Sequence, residues 1–230
     1  MILTRKAGLK RWGNWLGLIG ALMLLGACSP PPVQRQLEAV QIGDVIASAP
    51  FDDPHRWEHN QFEGIAIGLD GGSYRIQTDI NSYVRGFYQG NFDNVILDVR
   101  AIQLTEGVHN GFGVACRASQ DSGQAHGYYF LISGDGAYSI RRGHDGDLHP
   151  LIAWETHRAI RPLAVNQLRV VCVGDYLALI VNGELIAETH DRAYTQGRIG
   201  FVATTRQDQP LEVLFSDLTI SEGSLLPSSR

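Results

Sequence analysis

Few side chains in this sequence stand at the spacings that chemistry requires. The run HRWEH sets His55 and His59 four apart, the interval at which one helix face offers two imidazoles to zinc. The glutamate that should follow the first histidine is missing, and the flanks FDDP and NQFEG predict a solvated loop. Farther on, HDGDLH offers Asp145 and Asp147 as calcium oxygens, although Asp-Gly is first of all a hairpin corner. No metal or other cofactor is assigned, calcium at this corner being the one alternative. Carboxylates at alternate positions of a strand would share a face and suit acid and nucleophile roles. No Glu-x-Asp-x-Glu run exists: DNVILD separates its acids by five positions, and SDLTISE has neither the spacing nor the type. Catalytic residues are therefore unassigned, with carboxylates meeting from different strands left open. GFGVAC and GDGAYS fail the dinucleotide and phosphate-loop patterns, so no nucleotide is implied. No serine sits in a strained elbow motif, and no lysine follows Lys10, which excludes a lysine Schiff base or general base.

Binding chemistry is better represented. Aromatic faces and planar polar groups hold sugars, and alternation turns Arg100, Arg117, Tyr129 and Trp154 outward. These four are the candidate ligand contacts. For each there is a plainer role: arginines solubilise outer sheet faces, and Tyr129 and Trp154 pack. Asp98 beside Arg100 predicts an ion pair with an adjacent strand.

What must position these residues is a set of short strands. LIVNGELIAE joins two apolar runs through Asn182-Gly183, the pair that a type I′ hairpin turn demands. Upstream, Gly174-Asp175 makes a second two-residue corner, so a meander is predicted over 168–173, 176–181 and 184–189. Its register sets Val173 opposite Tyr176, Cys172 opposite Leu177 and Val170 opposite Leu179. Leu168, Val170, Cys172, Leu177, Leu179 and Val181 then form the core face. Arg169, Val171, Tyr176, Ala178 and Ile180 form the outer face.

The address is written at the start. Arg5, Lys6, Lys10 and Arg11 precede the apolar run LGLIGALMLLGA and then Cys28. This is a charged region, a short apolar region and small residues before a cleavage point. The apolar run is short for a membrane span, which needs roughly 20 residues. Leu25-Gly26-Ala27-Cys28 resembles a bacterial lipobox, which implies cleavage after residue 27 and lipid on Cys28. The alternatives are an uncleaved anchor or a plain signal peptide. Ser29 in place of Asp favours the outer membrane where the cell has one. Loss of those four cations takes the formal charge from −5 to −9, a poor match to nucleic acid. Cys116 and Cys172 then remain as a pair in an oxidising compartment. Both point inward by alternation, which fits a buried disulfide; two separate buried thiols are the alternative.

The 230 residues, 44% hydrophobic and 19% charged, suffice for one domain with a substantial core. Residues 28–43 are predicted to be a lipidated, proline-containing tether, 44–222 the folded domain and 223–230 a disordered tail. No long 3.6-periodic segment lies between the β-like runs, so an all-β antiparallel sandwich is predicted. The succession FDNVILDVRA, GFGVACRA, GYYFLISGDGAYSI, NQLRVVCVGDYLALIVNGELIAE, GRIGFVA and VLFSDLTI resembles concanavalin A-like, laminin-G-like jelly-roll domains of bacterial surface proteins. It is also similar to the 3-keto-disaccharide hydrolase domain family, which shares that sandwich. The resemblance covers roughly 48–222 and implies a jelly roll. The lipobox, the lysine-free acidic mature chain and the missing Glu-x-Asp-x-Glu run favour a non-catalytic, lipid-anchored envelope protein that binds a glycan or another envelope component. A hydrolase of 3-keto-disaccharides or related sugars, and a scaffold for a protein partner, are the alternatives.

Overall fold

The computed structural model describes residues 37, 39–48, 50–119, 125–206 and 209–226. The leader and Cys28 lie outside the described residues. The chain first forms β1 (Val40–Ser48), β2 (Asn60–Phe62), β3 (Ile65–Asp70), β4 (Ser73–Thr78), β5 (Val84–Phe92), β6 (Val95–Gln103), β7 (Asn110–Ala118) and β8 (Gly127–Ile132). It continues with β9 (Ala137–His144), β10 (Asp147–Thr156), β11 (Asn166–Val173), β12 (Tyr176–Val181), β13 (Glu184–His190), β14 (Gly197–Thr205) and β15 (Leu211–Leu225). Two short 3-10 turns, Pro50–Asp52 and Pro54–Arg56, lie between β1 and β2.

These strands pair antiparallel into two sheets. The larger runs β13-β12-β11-β6-β15-β4-β3-β2, with β1 added beside β15. The smaller runs β10-β9-β8-β7-β14-β5. The result is the expected jelly-roll sandwich, with inner faces that alternate along every strand. Asn182 and Gly183 both take positive φ, 51° and 85°, as the type I′ corner requires. The predicted register of β11 against β12 is the one observed, from Val173 opposite Tyr176 to Val170 opposite Leu179. All six residues of the predicted core face are buried in the common core.

The centre of that core is aromatic. Phe201 of β14 stacks on Phe215 of β15 at 4.1 Å, and on its other side lies Trp57 at 5.2 Å. Truncating such a buried ring to alanine costs about 3–5 kcal/mol. Cys116 of β7 and Cys172 of β11 are disulfide-bonded, so one covalent link ties the smaller sheet to the larger.

Two features depart from expectation. On the outer face of the meander Arg169 is ion-paired with Asp98 at 2.7 Å, but Val171, Tyr176, Ala178 and Ile180 are buried. Leu37, Val40, Leu185 and Leu225 pack over them as a second apolar layer. The domain is also longer than predicted: β1 starts at Val40, inside the expected tether, and β15 continues to Leu225, past 222. The physical reason is the same for both. Val40 pairs with Leu225 at the end of the β1–β15 ladder, and together they cover surface that would otherwise be wet.

Candidate functional site

The outer face of the smaller sheet is built differently. Its central strands, β7 and β14, place Phe112, Val114 and Phe201 in the core. The intervening Gly111, Gly113, Ala115, Gly200, Val202 and Thr204 face outward. Ala115 and Val202 join Phe87, Tyr129, Leu131 and Leu148 in a second buried apolar layer, and the three glycines are themselves buried. A Cβ at Gly113 would sit 2.0 Å from the Phe130 carbonyl oxygen, so only glycine lets β7 and β8 approach there. At Gly111 the added carbon would meet the Trp154 ring at 3.1 Å, which shows how closely the indole packs on β7. Large side chains rise on both sides. Tyr83 and Arg85 come from the β5 side, and Trp154 comes from β10. Between them lies an open depression of about 470 Å³, lined also by Arg206, Asp135 and Asp147.

Hydrogen bonds hold the walls. Arg85 Nη1 donates to Tyr129 Oη at 3.4 Å, and Tyr129 Oη donates to the His126 carbonyl at 3.3 Å. Burial pushes the Tyr129 phenol above its ordinary value, with Arg85 pulling it back. Arg141 donates through Nε to Ser139 Oγ at 3.2 Å and through Nη1 to Tyr83 Oη and the Leu148 carbonyl. Its guanidinium lies 5.8 Å from the Trp154 ring centre. Thus two arginines, two tyrosines and the indole form one interlocked wall. Asp135 serves the β8–β9 turn, accepting from the Ser133 hydroxyl and from the Ala137 N–H at 3.2 Å. In the lining of the groove Arg85 and Arg206 are matched by Asp135 and Asp147.

Of the four sequence candidates, only Trp154 lines the groove. Tyr129, expected to face outward as a ligand contact, is 0% exposed and packs beneath it in the second apolar layer. Arg100 is on β6 in the other sheet, exposed and paired with Asp217 at 3.0 Å. Arg117, expected to face outward, is only 2% exposed. Its five N–H groups donate to the carbonyls of Asp93, Gly174, Tyr194 and Cys172 and to Asn94 Oδ1. Burial lowers its pKa from the ordinary arginine value. The cause of the reorientation is local: Arg117 has φ of 52°, and the β7–β14 register shifts beside it. Tyr83, Arg85 and Arg141 went unnoticed in the sequence. Their alternation with core residues in SYVRGFY and YSIRR was the available signal.

His55 and His59 are exposed and flank the buried Trp57. The segment is a 3-10 turn followed by extended chain, with Asp53 accepting from the His55 N–H at 2.9 Å, so no zinc helix forms. The HDGDLH corner is the β9–β10 hairpin, with Asp145 at φ 51° and Gly146 at φ 88°. Asp147 lines the groove, whereas Asp145 gathers with His126 and His144.

No protein-family model matches the chain, and no curated protein sequence matches it. Solved structures do resemble it. A carbohydrate-binding module, CBM66, from Bacillus subtilis aligns at TM-score 0.58 and 14% identity, over 72% of this chain and 95% of that one. A Bacillus subtilis protein of unknown function with a galectin-like fold aligns at TM-score 0.60 and 13% identity, over 82% and 100%. A putative glycosyl hydrolase from Parabacteroides distasonis aligns at TM-score 0.52 and 14% identity, over 73% and 88%. At these identities the likeness shows a shared galectin-like, jelly-roll sandwich.

Proposed function

We propose that the protein binds a glycan in the groove on the outer face of the six-stranded sheet. The observation that carries this reading is the open groove lined by Tyr83, Arg85, Trp154 and Arg206 together with Asp135 and Asp147. An indole at the edge of such a groove offers a stacking surface to the apolar face of a sugar ring. The guanidinium groups of Arg85 and Arg206 offer planar donors to hydroxyl or carboxylate oxygens. That one structural neighbour is a carbohydrate-binding module supports the assignment of this sandwich face to binding. The groove is presented at the cell envelope by lipid on Cys28; in Cys28→Ser, lipid labelling and membrane retention are both expected to disappear.

The test is calorimetry of the full chain in detergent with neutral and uronate-containing polysaccharides, followed by product analysis. Saturable binding that Trp154→Ala weakens at least about tenfold supports the proposal. Silence across the panel, or binding indifferent to Trp154, refutes it and leaves a protein-binding scaffold. A hydrolase acting on 3-keto-disaccharides or related sugars is the second reading. Two carboxylates, Asp135 and Asp147, line the groove, and a putative glycosyl hydrolase is among the structural neighbours. Asp135 is committed to its turn, which places the weight on binding. New reducing ends among the products would reverse that order.

A further inference from the structure

At the open end of the β8–β9 ladder, Gly127 pairs with Gly143. His126 precedes the one and His144 follows the other, so the two histidines occupy the next paired position of an antiparallel ladder and stand side by side. Their rings stack with centroids 6.3 Å apart and 22° between planes. Asp145, turned back by its φ of 51°, brings Oδ2 to 3.2 Å from His144 Nε2. One donor atom from each of His126, His144 and Asp145 lies within 4.8 Å of the other two. Ligand atoms held tetrahedrally at about 2.1 Å from one ion stand roughly 3.4 Å apart, so small side-chain rotations close the triangle.

The surroundings favour a cation. The Tyr194 ring stacks on His126 at 5.5 Å, and its hydroxyl donates to the Gly143 carbonyl at 2.6 Å, which backs and orients the imidazole. Arg142, two residues before His144, is held to Asp191 at 2.9 Å. A further imidazole, His149, has its ring centre 6.5 Å from that of His144. His144 and Asp145 are exposed and His126 is half-buried, so an ion has access from solvent.

We propose that His126, His144 and Asp145 bind a divalent late first-row transition metal, of the class of zinc, nickel or copper. Two imidazole nitrogens and one carboxylate match that class, whereas calcium and magnesium take all-oxygen sets. The ion takes three protein ligands and keeps a coordination position open to solvent. None of the three residues lines the glycan groove, although Ala125 and Gly146 beside them do, and the proposal does not depend on that reading.

The experiment is titration of the full chain, freed of any histidine tag, with zinc and nickel chloride, read by calorimetry and by ion content after desalting. One ion per chain is expected, removable with a chelator. His126→Ala and His144→Ala are each expected to weaken binding at least about tenfold, since even the loss of a group that merely hydrogen-bonds a metal ligand costs that much. Asp145→Asn keeps the turn, because asparagine accepts positive φ, and is expected to weaken binding while leaving the melting temperature in place. His59→Ala, on the far exposed loop, is the control and should bind as the parent does. Absence of stoichiometric binding, or affinity unchanged in the three site variants, overturns the proposal.

Discussion

Arg100 and Arg117 look alike in sequence, and the structure sets them far apart in consequence. Arg117 directs all five guanidinium N–H groups at oxygens from three separate connections: Asp93 and Asn94, Cys172 and Gly174, and Tyr194. It gathers one end of the sandwich without any carboxylate in the set. Charge-assisted hydrogen bonds contribute about 1.5–3 kcal/mol each, but they share one side chain and are not additive. Some of the released carbonyls would recover water near the surface, so Arg117→Ala is expected to cost about 3–5 kcal/mol. Arg117→Lys supplies three donors instead of five and should recover only part of that loss. Arg100→Ala breaks an exposed pair and should stay within about 0.5 kcal/mol. The assay is equilibrium urea unfolding of the three variants with the disulfide kept oxidised, comparing midpoints at unchanged slope. A loss below about 1 kcal/mol in Arg117→Ala would show that the five contacts exchange freely with water, and the reasoning would be refuted.

Other expectations follow from single contacts. Trp154→Ala should weaken glycan binding and also lower the melting temperature, because the indole packs on the buried layer that contains Tyr129, Leu131 and Val202; an unchanged melting temperature would contradict that packing. Asp191 is affected first by burial, which raises its pKa, but hydrogen bonds from the Ala193 N–H, Tyr128 Oη and Arg142 prevail and hold it below the ordinary carboxylate value. Its stabilisation is therefore complete above the unfolded pKa of about 3.9 and fades as pH falls through the folded value. Asp191→Asn should cost about 1.5–3 kcal/mol at pH 7 and distinctly less at about pH 2.5; equal penalties in unfolding experiments at the two pH values would sink the assignment. Opening the Cys116–Cys172 link, which spans 56 residues of sequence, should lower stability by about 4 kcal/mol in the chain-entropy picture, measured as the oxidised-minus-reduced difference in urea.

How much of this was legible depended on whether the backbone kept its period. The meander was readable to the residue because Asn182-Gly183 fixes the turn, the turn fixes the register, and the register decides which side chains enter the core. The pairing of Asp98 with a neighbouring strand was readable for the same reason, since Arg169 lies directly opposite it. The groove was only half readable. Trp154 stands out by type, but Tyr83, Arg85 and Arg206 acquire meaning only when β5 and β10 take their places in the sheet with β7 and β14. That ordering is set by non-local pairing between strands far apart in the chain. The burial of Val171 and Ile180 was hidden too, because beside Leu185 the layer over them is drawn from Leu37, Val40 and Leu225, far from them in sequence.

Arg117 marks the limit of alternation as an argument. Period-two reasoning carries a side chain's direction along a strand only while the ladder is unbroken. At the end of β7 the chain takes φ of 52°, and the register against β14 slips between Arg198 and Gly200. One residue of slip exchanges the two faces, and a side chain assigned to solvent is carried into the joint between the sheets. Opposite that slip, Arg198 is buried across Phe87 and paired with Glu58. Arg85, which lines the groove, lies where β5 pairs regularly with β14. Arg141 stands beside a register shift between β9 and β10, yet there the extra residue belongs to β10 and the arginine keeps its place beside Trp154. At Arg117 the extra residue belongs to its own strand, β7. A bulge therefore redirects the side chains of the strand that carries the extra residue, and not those of the strand it pairs with.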